Sequence, residues 1–152
     1  MRLTQILQKQ CVKVPLEGKD KESVITELVD VLDAAGVLAD RQQVLQAVLL
    51  REQMRSTGIG SGIAIPHGKC DAVSELVMAI GISPDGIDFQ SVDDKPVKIV
   101  ILLVSPSDQT GPHIQALARI SRLMLDEQFR QQLEQADSPQ QVYELLSDKE
   151  AE

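Results

Sequence analysis

"VKIVILLV", residues 97–104, holds seven apolar residues in eight positions, five of them β-branched. A short, nearly continuous apolar run of this kind reads as a strand buried on both faces. A strand covered on both sides needs helices to cover it, so the run predicts an α/β domain. Upstream, "LVMAIGI" (76–82) and "IAI" (63–65) read as further strands. Between 83 and 89, "SPDGIDF" carries Pro and Asp-Gly and is expected to turn. At the start of the chain, "LTQIL" suits a short helical turn and "CVKVPL" alternates like a strand.

Two helices are expected before the first inner strand. Asp20 can cap a helix over 21–35, whose Val24, Ile25, Leu28, Val29 and Leu32 share one face, and Gly36 stands where a terminating glycine belongs. Asp40 opens the second, with Gln43 three residues on in a capping-box-like pattern. Val44, Leu45, Val48 and Leu49 are its apolar residues, and Arg51 comes near its end. Past the central strand, Thr110-Gly111-Pro112 starts a helix over 112–126, with Ile114, Leu117, Ala118, Ser121 and Leu125 along one face. Ser138-Pro139 starts a final helix, with Gln141 at the capping-box position. No repeat, low-complexity stretch or linker interrupts the chain. The expectation is one domain over 1–152: a mixed, mostly aliphatic sheet flanked by helices.

Composition agrees. The 152 residues include two Phe, one Tyr and no Trp, so the core must be aliphatic. A formal charge of −8 argues against nucleic acid, whose phosphates call for a basic stripe, and against anionic membrane surfaces. It suits a basic protein partner. Cys11 and Cys70 lie far apart without CxxC spacing and read as free thiols in a reducing cytoplasm. The N-terminus is too polar for a signal peptide, and no apolar run approaches a membrane span. A cytoplasmic protein is expected.

The chemistry centres on residues 58–69, "GIGSGIAIPHGK". Three glycines crowd five positions, an apolar strand follows, and one of only two histidines sits between Pro66 and Gly68. Pro66 fixes its own φ and restricts Ile65, while Gly68 removes a side chain on the other side. The reading is an imidazole on a stiff, uncluttered loop tip. Such a group is largely unprotonated at neutral pH and can act as a nucleophile. The glycines match neither the dinucleotide-binding GxGxxG nor a P-loop. Residue spacing alone therefore leaves His67 as a nucleophilic or acid–base histidine, or a merely structural one. Two histidines without a matching Cys or carboxylate spacing fall short of a zinc pattern, and no cofactor is expected. Met54, Met78 and Met124 read as core or near-core filler.

The same segment resembles the active-site signature of the enzyme IIA domains of the bacterial phosphoenolpyruvate-dependent sugar phosphotransferase system, fructose/mannitol class. The match runs Glu52, six residues, then Ile59-Gly60-x-x-Ile63-Ala64-Ile65-Pro66-His67-Gly68. "GIDF", "KPVKIVILLVSP" and "HIQALARISRLM" resemble the family's later segments in the same order. The resemblance implies that His67 carries a phosphoryl group, on Nε2, received from a histidine phosphocarrier protein (HPr- or NPr-like). It implies that His113 supports that group or orients His67. It also implies that Arg51 grips the phosphoryl oxygens, a role for which Arg55 competes. Cys70 is read as a bystander and Lys69 as an exposed charge near the docking rim. "VSPSDQTGPHIQALARIS" is most similar to the stand-alone nitrogen-regulatory branch, in which regulatory targets read the phosphorylation state. The alternative is a component that passes the phosphoryl group to a IIB cysteine of a fructose/mannitol-type sugar permease.

Overall fold

A computed structural model describes all residues, 1–152. The centre of the molecule is β6 (Val97–Ser105), in which every residue except half-buried Lys98 is buried. Since successive side chains point to opposite faces, burial of both sets requires cover on both sides of the sheet. The remaining strands are β1 (Leu7–Lys13), β2 (Gly58–Gly60), β3 (Ile63–Ala64), β4 (His67–Lys69) and β5 (Val77–Ile87). They hydrogen-bond in the order β1-β5-β6-β3-β2, with β4 also on β6. β5 runs antiparallel to β6, whereas β3 and β4 run parallel to it, so the sheet is mixed as expected.

The helices are α1 (Lys21–Ala34), α2 (Arg41–Met54), α3 (Thr110–Leu123), α4 (Glu127–Glu134) and α5 (Pro139–Glu150), after a 3-10 turn at Leu3–Gln5. α1 packs on β1, β5 and α2; α2 on β4; α3 and α4 on β6; α5 on β1. The expected caps form: Asp20 accepts from Ser23 N, Asp40 from Gln43 N and Ser138 from Gln141 N. Gly36 takes a φ of +77° just past α1, the left-handed conformation that ends a helix at little steric cost. The core is a single cluster of 42 buried residues, mostly aliphatic, with Phe89 and Phe129 its only aromatic members.

Five expectations are corrected. Residues 83–87 do not turn away: β5 continues to Ile87 through a register shift between Ile82 and Ile87, with Gly86 at φ +81°. The Pro and Asp-Gly serve an irregularity within the strand, one of the uses glycine has there. The first strand begins at Leu7 rather than Cys11. The helix expected over 112–126 ends at Leu123, and a separate α4 follows, capped by Asp126 accepting from Phe129 N. Its inward face is His113, Ala116 and Ile120, while Ile114 and Leu125 are 58% and 79% exposed. The apolar stripe read from the sequence is thus the outward one. Met54 also faces out, at 78% exposure, whereas Met78 and Met124 are core.

Candidate functional site

The segment 58–69 is built as a hairpin feeding into β6. Gly60 and Gly62, with φ of +95° and +79°, make the turn between β2 and β3, and Ser61 between them also has positive φ. β3 pairs with the first half of β6, Ile63 opposite Ile99 and Ala64 opposite Val100. Pro66 lacks an N–H, yet its carbonyl accepts from Leu103 N at 3.0 Å and keeps the chain against β6. The ladder then resumes as β4, His67 opposite Leu103 and Lys69 opposite Ser105. His67 therefore opens a strand and does not sit on a loop tip. Its stiffness comes from sheet pairing, and it is half-buried. Gly68 is needed for a neighbour: a Cβ there would stand 3.3 Å from Val48 Cγ2 of α2.

The Ile65 carbonyl lies 2.8 Å from His67 Nδ1. A carbonyl only accepts, so Nδ1 carries the proton and Nε2 of the neutral ring keeps its lone pair. Burial, the largest influence, holds the His67 pKa below the ordinary histidine value, and the charges of Arg51 and Lys69 act in the same direction. The Ile65 hydrogen bond and Glu52 oppose them without prevailing. At neutral pH the free nitrogen is thus unprotonated.

His113, on the fourth residue of α3, is 3% exposed. Its ring centroid lies 5.4 Å from that of His67, the planes at 61°. Ser105 Oγ, at the end of β6, is 2.6 Å from His113 Nδ1. Burial, reinforced by His67 and Lys69, pushes the His113 pKa down to about 4, so this ring is neutral too. β6 therefore positions both histidines, one through the ladder and the other through Ser105. Their proximity, invisible in residues 46 positions apart (113 less 67), is the sheet's doing. No group of three His, Cys, Asp or Glu side chains is arranged to hold a metal ion.

Arg51 is in the last turn of α2, where its Nη1 donates to the Arg55 carbonyl at 2.8 Å. Arg51, Arg55, His67, Ile65, Leu117 and Ser121 are among the residues lining one open cleft of about 420 Å³. His113 is not on that wall; it lies beside His67, inside. Of the two arginines, only Arg51 contributes to the low His67 pKa. Lys69 Nζ donates to Thr110 Oγ1 at the start of α3, and Cys70 is buried. Ile59 and Val92, 46% and 72% exposed, add an apolar rim to the cleft. Sequence reasoning passed over Ser105 because nothing in "LLVSP" marks a serine as a histidine's partner.

Four similarities to known proteins bear on this geometry. The chain is 42% identical over 147 residues to the PTS system fructose-specific EIIABC component of Bacillus subtilis, covering 97% of this chain and 23% of that one. It is thus similar to about a quarter of that longer protein. It is 41% identical over 128 residues to the PTS system fructose-specific EIIA component of Haloferax volcanii, covering 84% of this chain and 83% of that one. Among solved structures, the nitrogen regulatory protein IIA-Ntr of Neisseria meningitidis superposes with a TM-score of 0.87 at 26% identity, over 95% of this chain and 98% of that one. Residues 5–149 match the model of the phosphoenolpyruvate-dependent sugar phosphotransferase system EIIA 2 family, and with a mixed sheet presenting a paired histidine at a cleft the chain belongs to that family.

Proposed function

We propose that His67 Nε2 accepts a phosphoryl group from the phosphohistidine of a histidine phosphocarrier protein and later gives it up. The observation that carries this reading is the Ile65 carbonyl on Nδ1, which leaves Nε2 as the lone pair of the His67 ring. In the forward step the carrier's N–P bond breaks and a His67 Nε2–P bond forms. The carrier's imidazole leaves with the bonding pair. His67 keeps its Nδ1 proton on Ile65, so the positive charge of the N-phosphorylated ring faces a carbonyl. Transfer of this kind is mostly positioning and charge stabilisation. Arg51 supplies a planar fork for the phosphoryl oxygens at the cleft wall. His113 supplies a donor: when Ser105 donates to its Nδ1, the ring proton is on Nε2.

The cleft suits a protein partner better than a small substrate. It is open, and exposed Ile59 and Val92 line it, the apolar centre that an interface needs. The identity of 41–42% to fructose-specific components supports a IIB cysteine as the next acceptor, and the relative named EIIABC carries A, B and C components in one chain. A second reading, a regulatory protein whose targets sense phosphorylated His67, is supported by the IIA-Ntr overlay. Incubation with phosphoenolpyruvate, enzyme I and a carrier, followed by intact mass, should add one phosphoryl group. Subsequent mixing with a IIB domain separates the two readings, since only the first predicts loss of label to cysteine. No mass change with carriers of either branch would overturn the proposal.

A further inference from the structure

Glu52 is 5% exposed, at the end of α2, and its carboxylate is filled. Oε2 accepts from Thr57 N at 2.9 Å and from Lys21 Nζ at 3.1 Å, and Oε1 accepts from Thr57 Oγ1 at 2.5 Å. Thr57, itself 5% exposed, uses its carbonyl to accept from Ile65 N at 3.1 Å. Ile65 in turn offers the carbonyl that holds His67 Nδ1. The links form one continuous path: Lys21, Glu52, Thr57, the N–H and carbonyl on either side of Ile65 Cα, the His67 ring.

We propose that Glu52 and Thr57 are positioning residues that fix the orientation and tautomer of His67 through the Ile65 backbone. The physical need is specific. Ile65 sits between β3 and β4, just where Pro66 breaks the ladder, so β6 pairing does not hold its N–H. Thr57 lies in the connection after α2, before β2 begins, and has no strand partner to hold it either. Two irregular segments therefore lean on each other, and a buried carboxylate anchors the pair to the helix. A buried charge so used must be fully hydrogen-bonded, and Lys21 supplies the countercharge. If the Ile65 backbone shifts once its N–H loses Thr57, its carbonyl leaves Nδ1 and the ring is free to move its proton to Nε2, the nitrogen proposed to react.

This inference rests on His67 Nε2 being the acceptor, and the test separates the two. Wild type, Thr57→Val, Thr57→Ser and Glu52→Gln would be labelled with ¹⁵N on histidine. Long-range ¹H–¹⁵N correlation at pH 8 reads the His67 tautomer, and rapid-quench transfer from phosphorylated carrier reads the rate. In wild type the proton is expected on Nδ1 and the phosphoryl group on Nε2; phosphorylation on Nδ1, or none, would sink the acceptor reading itself. With the acceptor established, Thr57→Val and Glu52→Gln should gain a measurable Nε2–H population and transfer about 10-fold more slowly. Thr57→Ser, which keeps the hydroxyl, should restore both readouts. A purely structural role would lower the melting temperature and leave the tautomer alone, and that result overturns the proposal. Should Glu52→Gln not fold, Thr57→Val against Thr57→Ser decides alone.

Discussion

Two buried polar clusters face different fates in this molecule. One is the histidine pair under β6; the other surrounds Glu150 at the end of α5. The Glu150 side chain is fully buried and accepts from Leu3 N, Thr4 N, Thr4 Oγ1 and Arg119 Nε. Its bonding capacity is used up in tying the N-terminal turn and α3 to the last helix. The histidines are satisfied on one side only: each Nδ1 has a partner, and His67 Nε2 has none. A saturated cluster can only hold the fold together. A cluster that keeps a lone pair next to an open cleft and a guanidinium can do chemistry.

Substitution at each cluster should separate these roles. The largest effect is expected from His67→Ala, which removes the proposed acceptor: intact mass after incubation with the donor system should show no phosphoryl addition, and a fully labelled variant would dismiss His67. Glu150→Ala should lower stability by about 3–5 kcal/mol, because Arg119 is left partnerless beside two orphaned N–H groups. Urea melts check this, and the transfer rate of the remaining folded protein should match wild type. A slow but stable Glu150→Ala would erase the contrast between the clusters.

Arg51→Ala should slow transfer about 100-fold, the scale of losing one electrostatic donor in a transition state. Its melt should fall by about 0.5–1 kcal/mol, since the guanidinium also satisfies the Arg55 carbonyl at the end of α2. Arg55→Ala serves as the control, because the Arg55 side chain forms no hydrogen bond or ion pair in the cleft. If Arg55→Ala is slow and Arg51→Ala is not, the gripping residue is Arg55.

The smallest effect is in the pH dependence of stability, which has the same sign at both clusters but starts at a different pH. His113 titrates near 4 when folded and near 6.5 when unfolded, so the unfolded chain binds the extra proton first. Stability should therefore fall as pH drops below about 6.5, by about 2 kcal/mol at pH 5, with His67 adding in the same direction. Glu150 behaves otherwise. Burial, the largest influence, raises its pKa, but Arg119, the Leu3 and Thr4 N–H groups and the Thr4 hydroxyl together hold it below the ordinary value. Its contribution is present above that ordinary value, 4.5, and is lost only as pH falls through the folded pKa. Melts of His113→Gln should lose much of the slope between pH 6.5 and 5 and keep the one below 4.5; Glu150→Gln should do the reverse. Equal slopes in both variants would mean neither group is responsible.

Local chemistry made much of this legible beforehand. The capping residues Asp20, Asp40 and Ser138, the inward face of α1 and the doubly buried β6 all follow from side-chain patterns within a few residues. The stripe read along α3 misled, because Ile114 and Leu125 are exposed, and Leu117 and Ser121 line the cleft, while the core-facing residues are His113, Ala116 and Ile120. A periodic apolar face says that something will cover it, not whether that is the same chain.

By itself, the sequence determined the α/β class, the order of its main elements and the one histidine flanked by Pro66 and Gly68, all of which depend on neighbours along the chain. The folded molecule alone supplies the Ile65 carbonyl that holds His67 Nδ1, the His113 ring 5.4 Å from that of His67, and Ser105, Glu52 and Thr57 behind them. Those relations join His67 on β4 to His113 on α3 across β6, and Glu52 on α2 to Thr57 and Ile65, through hydrogen bonds that operate at about 3 Å and that residue types along the chain do not specify.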